Sequence, residues 1–351
     1  MVTNDLAPAP AALQQTRAPR PLPLFLHHVA EVGRTEPELA ARALAGLRRY
    51  ADADAGEPRP ARPVIARHGA ASVRDCGGDG PPVLLIPSLI NPPDVLDLDA
   101  DTSLAAALAR SGSRALLLDW GDASARAALD VSGHVEHLLL PAIKGLDQLP
   151  ALLGYCLGGT MALAAAQLTA VRKVATLASP WRFRAYPGSA RAQLVSLLER
   201  AAPTAQQIGL LPMEVLQSAF WSLDTHRIVA KFAAFAAMEA GSAEANRFVR
   251  LESWANGGEP LPFPAAAQLI HGFFRDDQPS RGEWQVGGQR ISSASPVPNL
   301  HLLADGDLIA PAAAAPPGPT LAARTGHVGL VLGQTARRTL HPKLFRWLLD
   351  G

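Results

Sequence analysis

Residues Gly154-Tyr155-Cys156-Leu157-Gly158 place a cysteine between two glycines, at a junction between two kinds of local sequence. A short apolar run, residues 150–154, comes before the cysteine, and residues 157–168, rich in alanine and leucine, follow it. The first run is typical of a buried strand and the second favours a helix. Glycine on both sides permits the tight turn that would expose the cysteine. A helix that starts beside the sulfur would also favour its thiolate form.

A nucleophile between glycines at a strand–turn–helix junction is the nucleophile elbow of α/β-hydrolases, where an acid and then a histidine follow along the chain. Here a strand-like run at residues 299–303 ends in an acidic turn with Asp305 and Asp307, and His327 follows between small residues. A turn aspartate or a loop histidine means little by itself, but the order favours a triad of Cys156, His327 and Asp307. His327 would take the thiol proton, and Asp307 would orient the ring and stabilise the imidazolium.

Five segments, in order and over roughly residues 75 to 335, resemble motifs of the polyhydroxyalkanoate synthases. They are PSLINPPDVLDL (87–98), LLDWG (117–121), GYCLGGT (154–160), DLIAP (307–311) and GHVGLVLG (326–333). The resemblance implies an α/β-hydrolase fold and transfer of 3-hydroxyacyl groups from coenzyme A onto a growing polyester through a cysteine thioester. It also implies 3-hydroxyacyl-CoA as substrate with no cofactor, a polyester chain or granule surface as partner, and a homodimer or a second synthase subunit.

The chain departs from this family at two points. Leu308 follows the acid where the family usually has a histidine, and the long amino-terminal region of the single-subunit synthases is missing. Its length resembles that of the short catalytic subunits that need a second protein. An alternative function is therefore a cysteine-dependent α/β hydrolase, either a thioesterase or an intracellular polyester depolymerase. A third hypothesis is a non-catalytic granule-binding protein, against which the complete Cys–Asp–His set argues.

Acyl transfer also needs backbone donors for the oxyanion. The N–H of Leu157 is one predicted donor, and Leu89 or Ile90, after the first core strand, supplies the second. Asn91 either helps to organise this loop or forms an Asx turn before the next proline. Asp97 matches a family position near the site, or it caps the helix that follows.

Composition narrows the class of protein. Of 351 residues, 48% are apolar, which is enough for one large α/β domain with an insertion. The 32 basic and 31 acidic residues leave a net charge of +1, which does not favour binding to nucleic acid or to an anionic membrane. The chain start lacks the apolar core of a signal peptide, and no run of about 18 apolar residues predicts a transmembrane helix.

Two cysteines make no disulfide framework, and Cys76 is interpreted as incidental. We therefore expect a reduced cytoplasmic protein with one reactive thiol, associated with granules if the family resemblance holds. The content of alanine, proline, glycine and arginine suggests a bacterial source. His134 and His137 have no third candidate ligand nearby, so they are interpreted as surface residues and no metal is expected.

The predicted domain organisation has two parts. Residues 1–60 form a Pro/Ala-rich segment and a helix, and residues 61–351 form the catalytic domain. Strands and helices alternate up to about residue 178, which predicts a mostly parallel sheet flanked by helices, with a hairpin at residues 64–76 on its edge. From about 183 to 290 the pattern becomes helical, which predicts a cap insertion that ends in a hairpin at 281–288. Some of the aromatic side chains in the cap are expected to line an apolar acyl channel.

Overall fold

The structure is a computed structural model that describes residues 17–54 and 61–350. The predicted Pro/Ala-rich start at residues 1–16 and the proposed boundary at residue 60 lie outside the described residues.

The strands of the described ranges are mostly short and apolar. They are β1 (Val64–His68), β2 (Ala71–Asp75), β3 (Pro82–Ile86), β4 (Arg114–Asp119), β5 (Ala151–Tyr155), β6 (Val174–Leu177), β7 (Leu210–Leu211), β8 (Leu261–Pro262), β9 (Gln285–Val286), β10 (Gln289–Arg290), β11 (Asn299–Ala304) and β12 (Thr320–Ala323).

The α-helices of the same ranges vary from one turn to six. They are α1 (Leu22–Gly33), α2 (Pro37–Ala51), α3 (Leu104–Arg110), α4 (Val131–His134), α5 (Leu140–Lys144), α6 (Leu157–Leu168), α7 (Gly188–Ile208), α8 (Met213–Ser222), α9 (Thr225–Ala237), α10 (Ala243–Asn256), α11 (Phe263–Ala267), α12 (Gln278–Arg281), α13 (Gly329–Leu332), α14 (Gln334–Thr339) and α15 (His341–Leu349). Two π-helical segments, Val135–Leu139 and Gln268–Arg275, continue α4 and α11.

One eight-stranded sheet in the order β1-β2-β4-β3-β5-β6-β11-β12 organises the catalytic part of the chain. The hairpin β1–β2 joins β4 in antiparallel pairing, and every pair from β4 to β12 is parallel. The central strands β3 and β5 are buried along their whole length, as expected for parallel strands covered on both faces. With a cysteine turn between β5 and α6, this arrangement is the α/β-hydrolase fold, and the predicted fold class is confirmed.

Most predicted elements lie within two residues of the observed ones. Helix α6 matches its predicted bounds, and the predicted edge hairpin is β1–β2. The last predicted hairpin is displaced, because residues 278–281 form α12 and the strand pairs are β9 and β10. Between β6 and β11 the chain is mainly helical, as the change of pattern at residue 183 indicates.

The described residues group into two compact units. Residues 17–54 and 225–256 form one unit, and residues 61–224 and 257–350 form the other. In the first unit, Gly46 of α2 faces α9 so closely that an added Cβ would lie 1.9 Å from the carbonyl oxygen of Phe232. The rings of Phe25, Tyr50 and Phe248 pack around the Phe232 ring, at centroid distances between 4.7 and 5.8 Å. The domain division predicted from the sequence, with a cap at about 183–290, is not tested by this grouping and stays a prediction.

None of the helices in the described ranges has both the length and the apolar character needed to span a membrane.

Candidate active site

Cys156 lies at a sharp turn between the central strand β5 and helix α6. Its backbone has φ 55° and ψ −129°, in a region that a residue with a side chain rarely occupies. The Cys156 N–H donates to the carbonyl oxygen of Leu177 at 2.9 Å, which ties the turn to the end of β6. Such strain costs on the order of 1–3 kcal/mol and persists only where the surroundings impose it. The elbow conformation is therefore maintained by the packing of the sheet and α6.

Close backbone packing explains the glycines of this turn. A Cβ on Gly154 would lie 2.3 Å from the Cα of Gly159, and one on Gly158 would lie 2.2 Å from the carbonyl oxygen of Ile86. Neither gap holds a methyl group, so any side chain at either position would push α6 away from β3 and β5. The glycines thus allow α6 to begin directly beside the Cys156 sulfur.

The structure brings the three predicted triad residues together. His327 Nδ1 donates a 2.7 Å hydrogen bond to Asp307 Oδ2, and the His327 ring also hydrogen-bonds the Cys156 side chain. The other carboxylate oxygen, Oδ1 of Asp307, accepts from the backbone N–H groups of Ile309 at 2.8 Å and Ala310 at 2.9 Å. The Asp307 side chain is 0% exposed and that of His327 is 9% exposed. Asp305, the other acid of the turn, is exposed to solvent.

The electrostatic surroundings favour a charged His327. Burial has the largest single effect on its pKa and would lower it. The charge of Cys156, the hydrogen bond to Asp307 and their further interactions oppose burial and together raise the pKa of His327 to about 10. The raised pKa favours the imidazolium form of His327, and this form can serve as a proton donor.

Two tyrosines near Cys156 and His327 were not predicted as site residues. The ring of Tyr155 lies 5.1 Å from the ring of His327, and its buried hydroxyl has no hydrogen-bond partner among the described residues. The Tyr186 hydroxyl donates to the carbonyl oxygen of Ile309 at 2.8 Å. Burial, and then the charges of Cys156 and Asp307, raise the pKa of both phenols well above the usual value, so both stay neutral. Tyr155 stands next to the nucleophile in the sequence, whereas nothing in the sequence marks Tyr186.

The predicted oxyanion donors lie on two adjoining segments. Leu157 is the first residue of α6, so its N–H has no acceptor within the helix. In the loop after β3, the N–H of Ile90 already donates to Ser88 Oγ at 3.3 Å, which favours Leu89 as the donor from that loop. An added Cβ on Gly158 would lie 2.4 Å from the carbonyl oxygen of Pro87, so the loop begins against the start of α6.

A buried polar network holds that loop from behind. The indole Nε1 of Trp120 donates to the carbonyl oxygen of Pro87 at 3.1 Å, and the indole packs edge-on against the ring of His134. His134 Nδ1 donates to the carbonyl oxygen of Asp130 at 2.6 Å, which leaves Nε2 to accept from Arg126 Nη1 at 3.0 Å. The LLDWG segment therefore contributes to the site by fixing the loop of the preceding motif.

The interpretation of His134 as a surface residue is wrong, because the ring is fully buried. Its position on α4 faces the core, which helical spacing alone did not reveal; His137, one turn further along, is exposed as expected. Burial, with a further contribution from the Arg126 charge, lowers the pKa of His134 to about 4, although the bond to Asp130 opposes it.

The two remaining predicted residues lie near the same loop. Asp97 accepts hydrogen bonds from Arg62 Nε at 2.7 Å and from Ser103 Oγ, and Ser103 in turn caps α3 by accepting from the N–H of Ala106 at 2.8 Å. Asp97 thus supports the cap of that helix from behind. Asn91 lines a small cleft that also includes Trp120 and Arg126.

Both cysteines of the chain lie in the described ranges, and neither is in a disulfide. Cys76 is buried directly after β2, where its N–H donates to the carbonyl oxygen of Ala115 at 2.8 Å.

Similar proteins are found among curated sequences, whereas no family model matches the chain. The "Poly(3-hydroxyalkanoate) polymerase subunit PhaC" of Thiocystis violacea is 28% identical over 291 residues, which cover 76% of this chain and 80% of that protein. The protein of the same name from Allochromatium vinosum is 26% identical over 76% of this chain and 80% of its own length. That of Haloarcula marismortui is 24% identical, and the match spans 60% of it. The resemblance to polyhydroxyalkanoate synthases is confirmed.

Solved structures also align with the chain. The esterase EaEST from Exiguobacterium antarcticum aligns with a TM-score of 0.45 and 13% identity, over 80% of this chain and 96% of its own. The carboxylesterase CesB (YbfK) from Bacillus subtilis aligns with a TM-score of 0.48 and 11% identity, over 91% of this chain and 99% of its own.

Because His134 is buried and neutral, the free energy of unfolding should depend on pH in the acidic range. Its pKa is about 4 in the folded chain and about 6.5 when unfolded, so the unfolded state binds the extra proton between these values. The free energy of unfolding should therefore fall, by about 3 kcal/mol from this residue, as pH drops from about 6.5 to about 4. His134→Gln should lose this part of the decline, measured by urea denaturation at several pH values. His137→Gln is the control, and an equal slope in both variants would contradict the assignment.

The charge on Cys156 should be measurable at His327. In Cys156→Ala the first of the influences that raise the His327 pKa is removed, so the pKa should fall from about 10 by roughly 1 to 3 pH units. Histidine-labelled protein followed by NMR gives this value, with the signal assigned by its absence in His327→Gln. Cys76→Ala should leave the titration as in the wild type. Equal titration curves for the two cysteine variants would show that the sulfur of Cys156 does not act on His327.

Proposed function

We propose that this protein is an acyltransferase of the polyhydroxyalkanoate synthase type. It would transfer 3-hydroxyacyl groups from coenzyme A to the hydroxyl end of a growing polyester through a thioester on Cys156. The observation that carries the proposal is the hydrogen-bonded set Cys156–His327–Asp307 at a strained elbow. The similarity to proteins named polyhydroxyalkanoate polymerase subunits supports the choice of substrate and product.

In the first half-reaction the Cys156 thiolate attacks the thioester carbonyl of 3-hydroxyacyl-CoA. The bond from carbon to Cys156 Sγ forms, the bond from carbon to the CoA sulfur breaks, and the imidazolium of His327 gives its proton to the departing CoA thiolate. The N–H groups of Leu157 and Leu89 would hold the transient oxyanion. One thioester replaces another, so the acyl group can pass to the enzyme without falling into a deep energy minimum.

In the second half-reaction the neutral imidazole of His327 removes the proton of a chain-end hydroxyl. The oxygen attacks the acyl-cysteine, the ester forms, and the bond from carbon to Cys156 Sγ breaks. This step leaves the proton on His327 and frees the Cys156 thiolate for the next cycle. Asp307 keeps Nδ1 of the ring protonated throughout, because its other oxygen is fixed by two backbone N–H groups.

The proposal extends to the setting of the reaction. A reducing compartment keeps a reactive thiol free, so we place the protein in the cytoplasm and, once polymer forms, at the granule surface. No cofactor is needed, because the thiol and the imidazole supply the nucleophile and the proton transfers. We also propose that the protein acts as a homodimer or together with a second synthase subunit. Measuring its molecular mass in solution during polymer formation tests this.

The product made from 3-hydroxybutyryl-CoA tests the proposed reaction. The protein should release free CoA and form polymer or enzyme-bound oligomer, and Cys156→Ala should do neither. Free 3-hydroxybutyrate as the only acyl product would instead establish the cysteine hydrolase. Iodoacetamide should label Cys156 stoichiometrically well below pH 8 while the buried Cys76 stays unlabelled, and equal slow labelling of both would favour a non-catalytic protein.

Asp307 should matter more for the second half-reaction than for the first. If His327 and the start of α6 keep Cys156 ionised, acylation needs little help from Asp307. The second step must take a proton from a hydroxyl of far higher pKa, which depends on stabilised imidazolium. Asp307→Asn should therefore accumulate radiolabelled acyl-enzyme while turnover falls by about 10² or more. Asp305→Asn, in the exposed acid of the same turn, should behave as the wild type. Slow acylation of Asp307→Asn, equal to its turnover, would mean that Asp307 acts on the thiol instead.

A further inference from the structure

An apolar groove opens next to the acid of the triad. Its lining comes from α7, α8, the π segment that follows α11 and the turn after β11, and it includes Tyr186, Leu194, Phe220, Leu223, Phe274 and Leu308. Its cavity volume is about 50 Å³. All of these residues belong to the unit of residues 61–224 and 257–350.

Two leucines at this groove are unusually exposed for their type. Leu308 is 49% exposed and Leu223 is 38% exposed. Exposed apolar side chains that cluster around an aromatic-lined depression are typical of a surface that meets an apolar ligand. The groove is thus suited to aliphatic chains.

The groove and the triad share one turn of the backbone. Asp307 accepts a hydrogen bond from the N–H of Ile309, and the Ile309 carbonyl accepts one from the hydroxyl of Tyr186. Leu308, which lies between Asp307 and Ile309, lines the groove, whereas the Asp307 side chain binds His327. Tyr186 is near enough to Cys156 for the sulfur's charge to act on its phenol, so one ring belongs both to the groove wall and to the surroundings of the nucleophile.

We propose that the groove binds the alkyl side chain of the acyl group being transferred, and that Leu308 makes the site select long aliphatic 3-hydroxyacyl groups over short ones. This inference rests on the proposed function for the identity of the substrate. Each methylene moved from water into such a lining favours binding by about fourfold. A histidine at position 308, as in the family pattern, would present a polar ring to the same space and weaken this preference.

Kinetics with two substrates test the selectivity. In the wild type, kcat/KM for 3-hydroxydecanoyl-CoA should exceed that for 3-hydroxybutyryl-CoA. Leu308→His and Leu223→Ser, at two sides of the groove, should each lower the value for the long substrate about tenfold and change that for the short one by less than about twofold. Leu149→Ser, in an exposed leucine that does not line the groove, is the control. Equal losses for both substrates, or an unchanged ratio in both groove variants, would overturn the inference.

Binding without chemistry separates this inference from the proposed function. Cys156→Ala should bind the unreactive thioether S-decyl-CoA more tightly than S-butyl-CoA, by calorimetry, and adding Leu308→His should remove most of the difference. If the thioethers show this difference but no acyl transfer occurs with the wild type, the groove holds and the proposed reaction fails. If transfer occurs and the two thioethers bind equally in Cys156→Ala, the groove inference alone fails.

Discussion

The left-handed backbone of Cys156 is the constraint on which the rest of the site depends. A residue with a side chain takes this conformation only when the strand before it and the helix after it are both fixed. That requirement explains why β5 is buried along its length and why Gly154 and Gly158, where a Cβ would not fit, stand on either side of the turn. The same contacts bring the carbonyls of the β3 loop to the start of α6. The elbow and the predicted oxyanion loop are therefore parts of one packed unit.

His134 and His327 show that two buried histidines of one fold can differ in charge because their neighbours differ. Both rings are buried, and burial by itself favours the neutral form of each. Burial, with a further contribution from the guanidinium of Arg126, lowers the pKa of His134 to about 4, and the ring serves as a hydrogen-bond acceptor. Beside a sulfur and a carboxylate, the pKa of His327 rises to about 10. His134 thereby stabilises a loop as a hydrogen-bond acceptor, whereas protonated His327 can donate a proton.

The sheet and the grouping of Cys156, His327 and Asp307 were predictable from the sequence because each part is marked by a local pattern. Short apolar runs marked the strands, and the order of Cys156, Asp307 and His327 marked the residues that the parallel sheet collects at its carboxyl edge. Other features depend on contacts between distant parts of the chain. The packing of α2 against α9 joins segments almost 200 residues apart, and the burial of His134 depends on which face of its helix meets Trp120. Asp97 matched a motif, yet its partners are a distant arginine and a helix cap.

The turn after β11 holds both Asp307, which binds His327, and Leu308, which lines the groove. The N–H groups of residues 309 and 310 donate to Asp307 and keep its carboxylate in place, while the side chain of Leu308, between Asp307 and Ile309, lines the groove. Position 308 is therefore free to vary chemically without moving the acid, as long as the backbone keeps its course. A leucine there costs exposed apolar surface in the empty protein, a cost that is recovered only when an apolar group covers it. Such a position lets a fold of this kind change which acyl group it accepts while its proton-transfer residues stay the same.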